Sequence, residues 1–352
     1  MSMSREDRRE VLVSPGNVEI VALPASEALP PGHARISVRA CGLCGSDHHL
    51  HRGMRLPPGA EYPVRPGHEV AGVIVELAQD STPDRPAVAV GDAVVLHPVL
   101  ACGTCEACRS GADNLCPHGR MLGIHDPGGL ADEMTWPVTR LVPYRDLPAE
   151  QAALLPDAVA TAYHAWRIAA LPPGGTLAVL GAGGIGTHLL QIAAHFDPSA
   201  RLVAVVRSEG TAARLAGLPI EVVISDLEGS ARAVRSAVGT VDVVAEFTGA
   251  AAAPAEAVRM VGRGGSVVLG SIVDDALELG VSVAHLVTRE ISVRSSYSST
   301  MQDLREVVRL AETGVLDLSA SVSHRVPLDE AARAFDLLDE RPPGLLRVVV
   351  TP

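Results

Sequence analysis

The sequence predicts a two-domain α/β protein, in which a β-rich domain precedes a domain built on a parallel sheet. Over residues 10–150, short β-type runs are separated by proline and glycine. From about Leu154 onward, short aliphatic strands alternate with helical patterns, and a glycine-rich turn joins the first of these strands to the next helix. At 352 residues the chain is long enough for about two domains with cores of their own.

The elements of the two parts differ in kind. Strand patterns in the β-rich part lie at residues 34–39, 70–77, 93–96 and 136–142. In the following part, a helical pattern at 159–170 ends at Pro172-Pro173. Aliphatic runs then lie at 177–180, 202–206, 241–245 and 266–269, and a helical pattern at 184–195. Continuous aliphatic strands alternating with helices indicate a doubly wound parallel sheet with both faces covered.

The C-terminal part carries helical patterns at 302–313 and 329–338 and a strand pattern at 346–351. These patterns alone assign the segment to neither domain, and it could return to either one.

Composition excludes several classes of partner. The 29 Lys and Arg residues against 41 Asp and Glu residues give a net charge of −12, the wrong sign for binding nucleic acid. No stretch approaches the roughly 18 apolar residues of a membrane span. The N-terminus is polar and charged without an apolar segment behind it, so we expect no signal peptide. We therefore expect a cytoplasmic protein without membrane attachment, where clustered cysteines more often bind metal than form disulfides.

Four cysteines are clustered with the spacing C-x-x-C-x-x-C-x₇-C: Cys102, Cys105, Cys108 and Cys116. Four thiolates at this spacing suit a closed tetrahedral Zn²⁺ site. Because all four ligands are sulfur, no coordination position is left for water or substrate, and the predicted role is structural. Two disulfides are the alternative, but disulfides belong to oxidising compartments.

The glycine-rich turn has the pattern G-x-G-x-x-G, directly after a strand pattern and at the start of a helix: Gly181, Gly183, Gly184, Ile185 and Gly186 belong to it. Gly181 permits a tight turn, Gly183 lets the backbone approach a pyrophosphate, and Gly186 allows close packing of helix and strand. The helix N-terminus adds amides and positive potential. We therefore predict a dinucleotide-binding site here.

The type of dinucleotide is indicated by the end of the next strand. An acidic residue usually binds the adenosine ribose there, roughly 20 residues past the turn. In this chain Arg207 follows the strand, and a guanidinium could pair with a 2′-phosphate. NADP is therefore favoured over NAD. In the alternative interpretation, Arg207 is an ordinary solvated side chain and Glu209 binds the ribose.

Cys44 and His68, upstream of the cysteine cluster, suggest a second metal site. A catalytic zinc takes about three protein ligands and keeps one position open. Taken separately, Cys44 could be a small buried apolar residue and His68 a histidine satisfied within a loop. Their joint occurrence ahead of the cysteine cluster and the dinucleotide turn favours the metal site.

These three motifs, in this order, resemble those of the zinc-containing medium-chain alcohol dehydrogenases over nearly the whole chain. The segment from Gly67 to Gly72 is similar to the zinc signature of that family. The resemblance implies a GroES-like catalytic domain from residues 1–150 and 290–352, and a Rossmann coenzyme domain from residues 151–289. It also implies a homodimer or homotetramer.

The resemblance further implies that Cys44, His68 and a third residue just before the coenzyme domain bind the catalytic zinc, so that each chain holds two zinc ions. Asp157 occupies that third place, and a carboxylate oxygen binds Zn²⁺ at roughly 2.0–2.2 Å. Glu69 is the competing ligand, because family members place this glutamate beside the metal. We favour Asp157, with Glu69 close behind the metal.

The remaining site residues are also assigned through the resemblance. Ser46 would accept the alcohol proton by hydrogen bond, and His49 would pass it outward, although His49 could simply be exposed. Asp47 would orient His68 through the second ring nitrogen. Thr161 is expected near the nicotinamide, and Thr248, between Phe247 and Gly249, in the cofactor groove. His97 could reach the pocket, but we favour a role at the end of a strand.

The function implied is hydride transfer between a nicotinamide cofactor and a small-to-medium alcohol or carbonyl substrate. Two other functions stay open at this point. The same fold could reduce an activated double bond or an iminium group, or it could bind NADP as a sensor without turnover.

Overall fold

The computed structural model describes residues 8–24, 28–78 and 88–352. The chain divides into two compact units, one from Met1–Ala160 and Ser299–Pro352, the other from Thr161–Ser298. The first unit is thus built from both ends of the chain, and the domain boundaries expected near 150 and 290 stay predictions. Within the described ranges, no helix has both the length and the apolar character needed to cross a membrane.

The N-terminal part of the first unit is rich in strands. Its elements are β1 (Arg9–Ser14), β2 (Asn17–Ala22), β3 (His33–Leu43), α1 (Gly45–His51), β4 (Glu69–Leu77), β5 (Ala93–Leu96), β6 (Val99–Leu100), α2 (Glu106–Arg109), β7 (Arg120–Met121), β8 (Glu133–Pro137), β9 (Leu141–Pro143) and α3 (Ala149–Ala152). A single π-helical turn, Leu155–Val159, precedes α4 (Ala160–Ala169).

The second unit alternates strands and helices. Its elements after α4 are β10 (Thr176–Leu180), α5 (Gly184–Phe196), β11 (Arg201–Val206), α6 (Glu209–Arg214), β12 (Glu221–Ile224), α7 (Ser230–Val238), β13 (Val241–Glu246), α8 (Ala253–Met260), β14 (Val261–Leu269), α9 (Val283–Arg289) and β15 (Ser292–Ser295). The six strands pair in parallel in the order β12-β11-β10-β13-β14-β15. This is the strand order of a doubly wound dinucleotide-binding fold, so the predicted fold class is confirmed.

The C-terminal segment returns to the first unit. It contributes α10 (Met301–Glu312), β16 (Val322–Pro327), α11 (Ala331–Glu340) and β17 (Arg347–Thr351). Strand β17 pairs antiparallel with β3, with Val349 opposite Gly42, and parallel with β16. The seven-stranded sheet has the order β16-β17-β3-β4-β5-β9, and β8 also pairs with β3. The sequence pattern left open which domain this segment joins, and the pairing of β17 with β3 places it in the first unit.

One predicted strand is wrong. Residues 136–142 are not a single strand, because a 3₁₀ turn at Val138–Arg140 separates β8 from β9. Strand β8 pairs with β3, whereas β9 pairs with β5, so the chain changes partners at this turn. Arg140 in the turn is buried and forms an ion pair with Asp113. A β-type pattern in the sequence does not reveal such a change of strand partner.

Both units have aliphatic cores. In the first unit, valine, leucine and isoleucine side chains from the sheet pack with Phe335 of α11, which is fully buried. In the second unit, alanine and valine side chains from β10, β11, β13 and β14 pack against α7 and α8. Continuous burial of the parallel strands explains why they appear in the sequence as unbroken aliphatic runs.

Candidate functional site

Cys44, His68 and Asp157 lie together in the first unit. Strands β3 and β4 run antiparallel with Gly42 opposite Glu69. Cys44 lies two residues after Gly42, and His68 lies directly before Glu69, so this pairing makes Cys44 and His68 neighbours. The Cys44 Sγ is 3.2 Å from the His68 Nε2, and that nitrogen is 3.5 Å from the Asp157 Oδ2 in the π-helical turn. One sulfur, nitrogen or oxygen atom from each residue lies within 4.8 Å of the others, an arrangement that could hold a metal ion.

Asp47 holds the backbone on both sides of this cluster. Its Oδ2 accepts a hydrogen bond from the Cys44 N–H at 2.9 Å, and its Oδ1 accepts one from the Gly67 N–H at 3.1 Å. The Asp47 side chain is completely buried. The His68 Nδ1 lies 3.8 Å from Oδ1, beyond hydrogen-bond distance, so Asp47 acts on His68 through charge and through the adjacent backbone.

Glu69 lies next to the cluster and is fully buried. Its Oε1 is 2.9 Å from the Nη2 of Arg347 in β17, and the same Nη2 is 3.9 Å from the Asp157 Oδ2. A Cβ at position 42 would overlap the Glu69 carboxylate, so Gly42 makes room for it. We did not predict Arg347; a charged residue inside an aliphatic strand pattern was the available signal.

The pKa values of these groups reflect burial and mutual charge. Burial raises the pKa of Glu69 to about 8, against the opposing charge of Arg347. Burial also acts to raise the pKa of Asp157, but the hydrogen bond and charge of His68 and the charge of Arg347 hold it well below its usual range. For His68, burial acts to lower the pKa, and the charges of Cys44 and Asp47 outweigh it, so the pKa is well above its ordinary value.

Ser46 and His49 both lie on α1, the short helix that begins just after Cys44. The Ser46 Oγ is 2.8 Å from the Cys44 Sγ, so this hydroxyl lies at the edge of the cluster. His49 is exposed. The other polar face of α1 is bound to α11, because Asp339 accepts hydrogen bonds from His48 at 2.8 Å and from Arg52 at 2.9 Å.

The four-cysteine cluster is compact. Its sulfur atoms are 3.4 Å apart between Cys105 and Cys108, 3.8 Å between Cys105 and Cys116, and 3.9 Å between Cys102 and Cys108. A tetrahedron with metal–sulfur bonds of about 2.3 Å has edges of about 3.8 Å, so these distances fit Zn²⁺. All of these cysteines are free, which rules out the alternative of two disulfides in this structure.

Backbone N–H groups surround these sulfurs. The Cys102 N–H donates to the Cys116 Sγ at 3.3 Å, and the Cys108 N–H donates to the Cys105 Sγ at 3.5 Å. Hydrogen bonds from Thr104 and from the Cys105 backbone lower the pKa of Cys102 to about 5, whereas burial and the neighbouring Cys105 raise the pKa of Cys108 to about 12. The hydrogen bonds within the cluster thus favour the thiolate form of Cys102, although three other cysteine sulfurs lie close to it.

The glycine-rich turn in the second unit has the geometry that its pattern predicts. Gly181 has a φ of +94°, and Gly183 precedes α5 without a side-chain cap. A Cβ at Gly186 would overlap the Gly181 carbonyl oxygen, whereas a Cβ at Gly183 would meet nothing within 4 Å. Gly186 therefore permits close packing of helix and strand, and Gly183 faces open space at the start of the helix. Gly184 and Ile185 form the first turn of α5.

The other predicted cofactor residues occupy different environments. Arg207 is exposed directly after β11, and Glu209 is exposed in the first turn of α6. Thr161 is buried in the first turn of α4. Thr248 is exposed in the loop after β13, and its hydroxyl donates to the buried carboxylate of Glu246 at 2.6 Å. Sequence reasoning missed Glu246, although an acidic residue ending an aliphatic strand marks it.

His97 is fully buried in the first unit and is bound by backbone groups. Its Nε2 is 2.9 Å from the Ser299 carbonyl oxygen, and its Nδ1 is 3.3 Å from the backbone of Val99. Burial lowers the pKa of His97. Both ring nitrogens lie against backbone groups at the end of β5, as the interpretation of a strand-end residue requires.

Comparison with known proteins agrees with the fold and the motifs. Residues 30–147 match the family described as alcohol dehydrogenase GroES-like domain, and residues 184–313 match the family described as zinc-binding dehydrogenase. The chain is 30% identical to D-altritol 5-dehydrogenase of Agrobacterium fabrum over 327 residues, 92% of this chain and 93% of that protein. It is 29% identical to L-galactonate-5-dehydrogenase of Escherichia coli, over 90% of this chain and 91% of that protein.

A solved structure extends this agreement to three dimensions. A protein of Sinorhizobium meliloti 1021, described as a zinc-binding dehydrogenase and bound to NADP, superimposes with a TM-score of 0.85. It is 28% identical in sequence, and the match covers 98% of this chain and 99% of the other. The chain is an NAD(P)-dependent oxidoreductase of the zinc-dependent alcohol dehydrogenase type. It belongs to the zinc-containing medium-chain alcohol dehydrogenase family.

Proposed function

We propose that this enzyme interconverts a secondary alcohol and its ketone in a small-to-medium, polyhydroxylated substrate, with a catalytic zinc bound by Cys44, His68 and Asp157. The observation that carries the proposal is the meeting of these three donor atoms within 4.8 Å, beside the Ser46 hydroxyl. The relatives named for oxidation at carbon 5, a D-altritol dehydrogenase and an L-galactonate dehydrogenase, favour a hydroxyl group at an internal carbon.

The donor set fits zinc of the catalytic kind. One sulfur, one nitrogen and one carboxylate oxygen leave a fourth position for substrate. When bound there, the metal supplies Lewis acidity that makes an alcohol oxygen easier to deprotonate. Asp47 accepts hydrogen bonds from the backbone N–H groups of Cys44 and Gly67. Because Gly67 directly precedes His68, these bonds keep the two ligands Cys44 and His68 in place. Glu69 faces Arg347 at 2.9 Å, which favours Asp157 over Glu69 as the third ligand.

We assign the proton path to α1. Ser46, next to the Cys44 sulfur, would hold the substrate hydroxyl by hydrogen bond and accept its proton. His49 is exposed on the same helix and would pass the proton to solvent, because histidine titrates near neutral pH. When bound, the nicotinamide cofactor would supply the hydride chemistry at the alcohol carbon, and this chain would contribute the binding and orientation.

We assign a second, structural zinc to Cys102, Cys105, Cys108 and Cys116. The sulfur distances of 3.4–3.9 Å support this assignment, as do the backbone N–H groups aimed at the sulfurs. A four-sulfur site has no open position, so its contribution is to the stability of the loop.

We assign the nicotinamide cofactor to the turn from Gly181 to Gly186 and favour NADP over NAD. Exposed Arg207 is placed to pair with a 2′-phosphate, and the S. meliloti relative binds NADP. The N-terminus of α5 would face the pyrophosphate. Thr161 and Thr248 are assigned to the nicotinamide end and to the groove.

We also propose that the enzyme is a homo-oligomer, a dimer or tetramer of the cytoplasm. Strand β15 lies at one edge of the six-stranded sheet, and the neighbouring helix α9 exposes Val283 by 74% and Val287 by 67%. An edge strand beside exposed apolar side chains is a surface that a second copy could cover. A Val283→Glu, Val287→Glu double variant should lower the mass measured by analytical ultracentrifugation.

The central test combines zinc quantitation on the purified protein with an alcohol panel in the presence of NAD or NADP. We expect two zinc ions per chain and alcohol-dependent reduction of the cofactor, faster with NADP. One zinc and no turnover would overturn the proposal and favour a cofactor-binding sensor. Turnover only with an activated double bond or an iminium compound would favour a reductase of that class.

A further inference from the structure

Glu246 is a buried carboxylate that organises an exposed loop. It ends β13 and is only 3% exposed, whereas Thr248 and Gly249 are exposed. Its Oε1 accepts hydrogen bonds from the Thr248 N–H at 2.5 Å, the Thr248 hydroxyl at 2.6 Å and the Gly249 N–H at 3.2 Å. Hydrogen bonds to an ionised acceptor are roughly twice as strong as neutral ones, so this oxygen is a strong acceptor for the loop. The Gly249 N–H also donates to the Ser271 hydroxyl oxygen at 3.0 Å, so Ser271 helps to hold the loop.

The loop packs directly on the glycine-rich turn. The Phe247 N–H donates to the Leu180 carbonyl oxygen at 2.9 Å, immediately before Gly181. A Cβ at Gly181 would lie 2.9 Å from the Thr248 Cγ2 and 3.1 Å from the Thr248 nitrogen. The conformation of this loop therefore determines how much space the turn has beside it.

The Thr248 hydroxyl is already engaged within the loop. It donates its one hydrogen to Glu246, and it accepts a hydrogen bond from the Ala250 N–H at 3.1 Å. Only one lone pair is left over, so the hydroxyl cannot donate to a cofactor without releasing Glu246. The methyl group, in turn, is the part of Thr248 that faces Gly181. Thr248 thus shapes the groove, and Glu246 fixes the rotamer of Thr248.

We infer that Glu246 is a positioning residue for cofactor binding, which acts by holding residues 247–249 in the conformation that keeps the dinucleotide turn accessible. The inference rests on the proposed location of the cofactor at Gly181–Gly186. Glu246 does not contact the reacting atoms. Its loss should weaken cofactor binding while kcat at saturating cofactor stays close to that of the wild type.

Glu256 provides a matched control in the same unit. It is 7% exposed, and its Oε2 accepts hydrogen bonds from the Ala231 N–H at 3.0 Å and from the Ser230 hydroxyl at 3.4 Å. Its Oε1 accepts a hydrogen bond from the Arg259 guanidinium at 2.7 Å. This carboxylate joins α7 to α8 rather than supporting the loop beside the glycine-rich turn. Glu256→Gln thus removes a comparable buried charge whose hydrogen bonds serve another part of the unit.

The test measures the Kd for NADPH and NADH by fluorescence titration of full-length wild type, Glu246→Gln and Glu256→Gln, each loaded with zinc. We expect the Kd of Glu246→Gln to rise about tenfold, because three charge-assisted hydrogen bonds become neutral or are lost. The rise should appear in the cofactor KM and not in kcat. Equal Kd values for Glu246→Gln and wild type, or an equal loss in Glu256→Gln, would overturn the inference.

A double-mutant cycle with Thr248→Val separates positioning from loss of fold. Valine keeps the methyl group that faces Gly181 and removes the hydroxyl that donates to Glu246. If Glu246 and Thr248 act as one unit, the cofactor Kd of the double variant is no higher than that of the single variant with the higher Kd. If Glu246→Gln does not fold, Thr248→Val alone must weaken cofactor binding, and wild-type affinity in it would refute the inference. A wild-type enzyme that binds neither cofactor would instead refute the proposed function.

Discussion

The guanidinium Nη2 of Arg347 lies 2.9 Å from the Glu69 Oε1, and the two side chains are only 8% and 0% exposed. The ion pair joins β17, from the end of the chain, to β4, and both strands neighbour β3 in the sheet. Because Glu69 directly follows His68, the pair lies immediately behind the cluster of Cys44, His68 and Asp157. A buried ion pair contributes little net stability while intact, but the loss of one partner leaves an uncompensated charge.

Arg347→Met should therefore be strongly destabilising. We expect the free energy of unfolding to fall by about 3–5 kcal/mol, because the buried carboxyl groups of Glu69 and Asp157 both lose the positive charge that lowers their pKa values. Urea denaturation followed by circular dichroism measures this change. Arg333→Met is the matched control, because Arg333 and Glu340 form an ion pair on the exposed face of α11. The control should change stability little, and equal effects of the two substitutions would contradict the prediction.

Asp157→Asn should remove one of the two proposed zinc ions and most of the activity. The amide is a weaker, neutral ligand, so metal analysis should show one zinc per chain and kcat/KM should fall more than about 100-fold. Asp126→Asn, which removes the half-buried ion-pair partner of Arg120, should keep both zinc ions and full activity. A variant at position 157 that retains two zinc ions would exclude Asp157 as a ligand.

Cys105→Ser should remove the other proposed zinc ion and mainly lower thermal stability, whereas Asp157→Asn mainly lowers activity. One zinc per chain should again be lost, but here the loss removes the cohesion of the loop between Cys102 and Cys116, so thermal stability should fall. The unfolding midpoint, measured by calorimetry, should drop further than in Asp157→Asn. Unchanged thermal stability after loss of this zinc would contradict a structural role.

Arg207→Ala should change cofactor preference. Loss of the guanidinium removes the partner proposed for the 2′-phosphate, so kcat/KM for NADP should fall about 10- to 100-fold while that for NAD stays nearly constant. Glu209→Gln tests the alternative, in which this carboxylate binds the ribose. If Glu209→Gln reduces activity with NAD and Arg207→Ala leaves NADP unaffected, the alternative is correct.

His97 should make the fold sensitive to acid. Burial lowers its pKa in the folded state, so below about pH 6.5 the unfolded chain binds a proton that the folded chain does not. Stability contributed by neutral His97 is therefore present above about pH 6.5 and decreases as the pH falls, by up to about 1.4 kcal/mol per pH unit.

Urea denaturation of wild type and His97→Gln at about pH 7.5 and pH 5.5 tests this linkage. Glutamine can still donate to the Ser299 carbonyl oxygen but does not titrate. The variant should lose less stability than the wild type between the two pH values. An identical loss in both proteins would show that His97 is not responsible.

The sequence by itself determined the parts of this protein that depend on local spacing. The four cysteines span residues 102–116, and their proximity follows from the length of the loop that contains them. The G-x-G-x-x-G turn is likewise local, because its glycines serve one strand-to-helix connection. The alternation of aliphatic strands and helices predicted the doubly wound sheet, since parallel strands are buried on both faces. The family resemblance rests on these same motifs, and the comparisons confirm it.

The resemblance implied that Cys44, His68 and Asp157 meet, but only the tertiary structure decided the other long-range contacts. The return of β17 to β3, the pairing of Arg347 with Glu69 and the change of strand partners between β8 and β9 depend on sheet order and register. The position of Glu246 at the end of an aliphatic strand is visible in the sequence, but its hydrogen bonds to Thr248 and Gly249 appear only in the folded loop. A local pattern fixes which face of a strand is buried, but the free energy that selects its neighbour comes from contacts across the whole sheet.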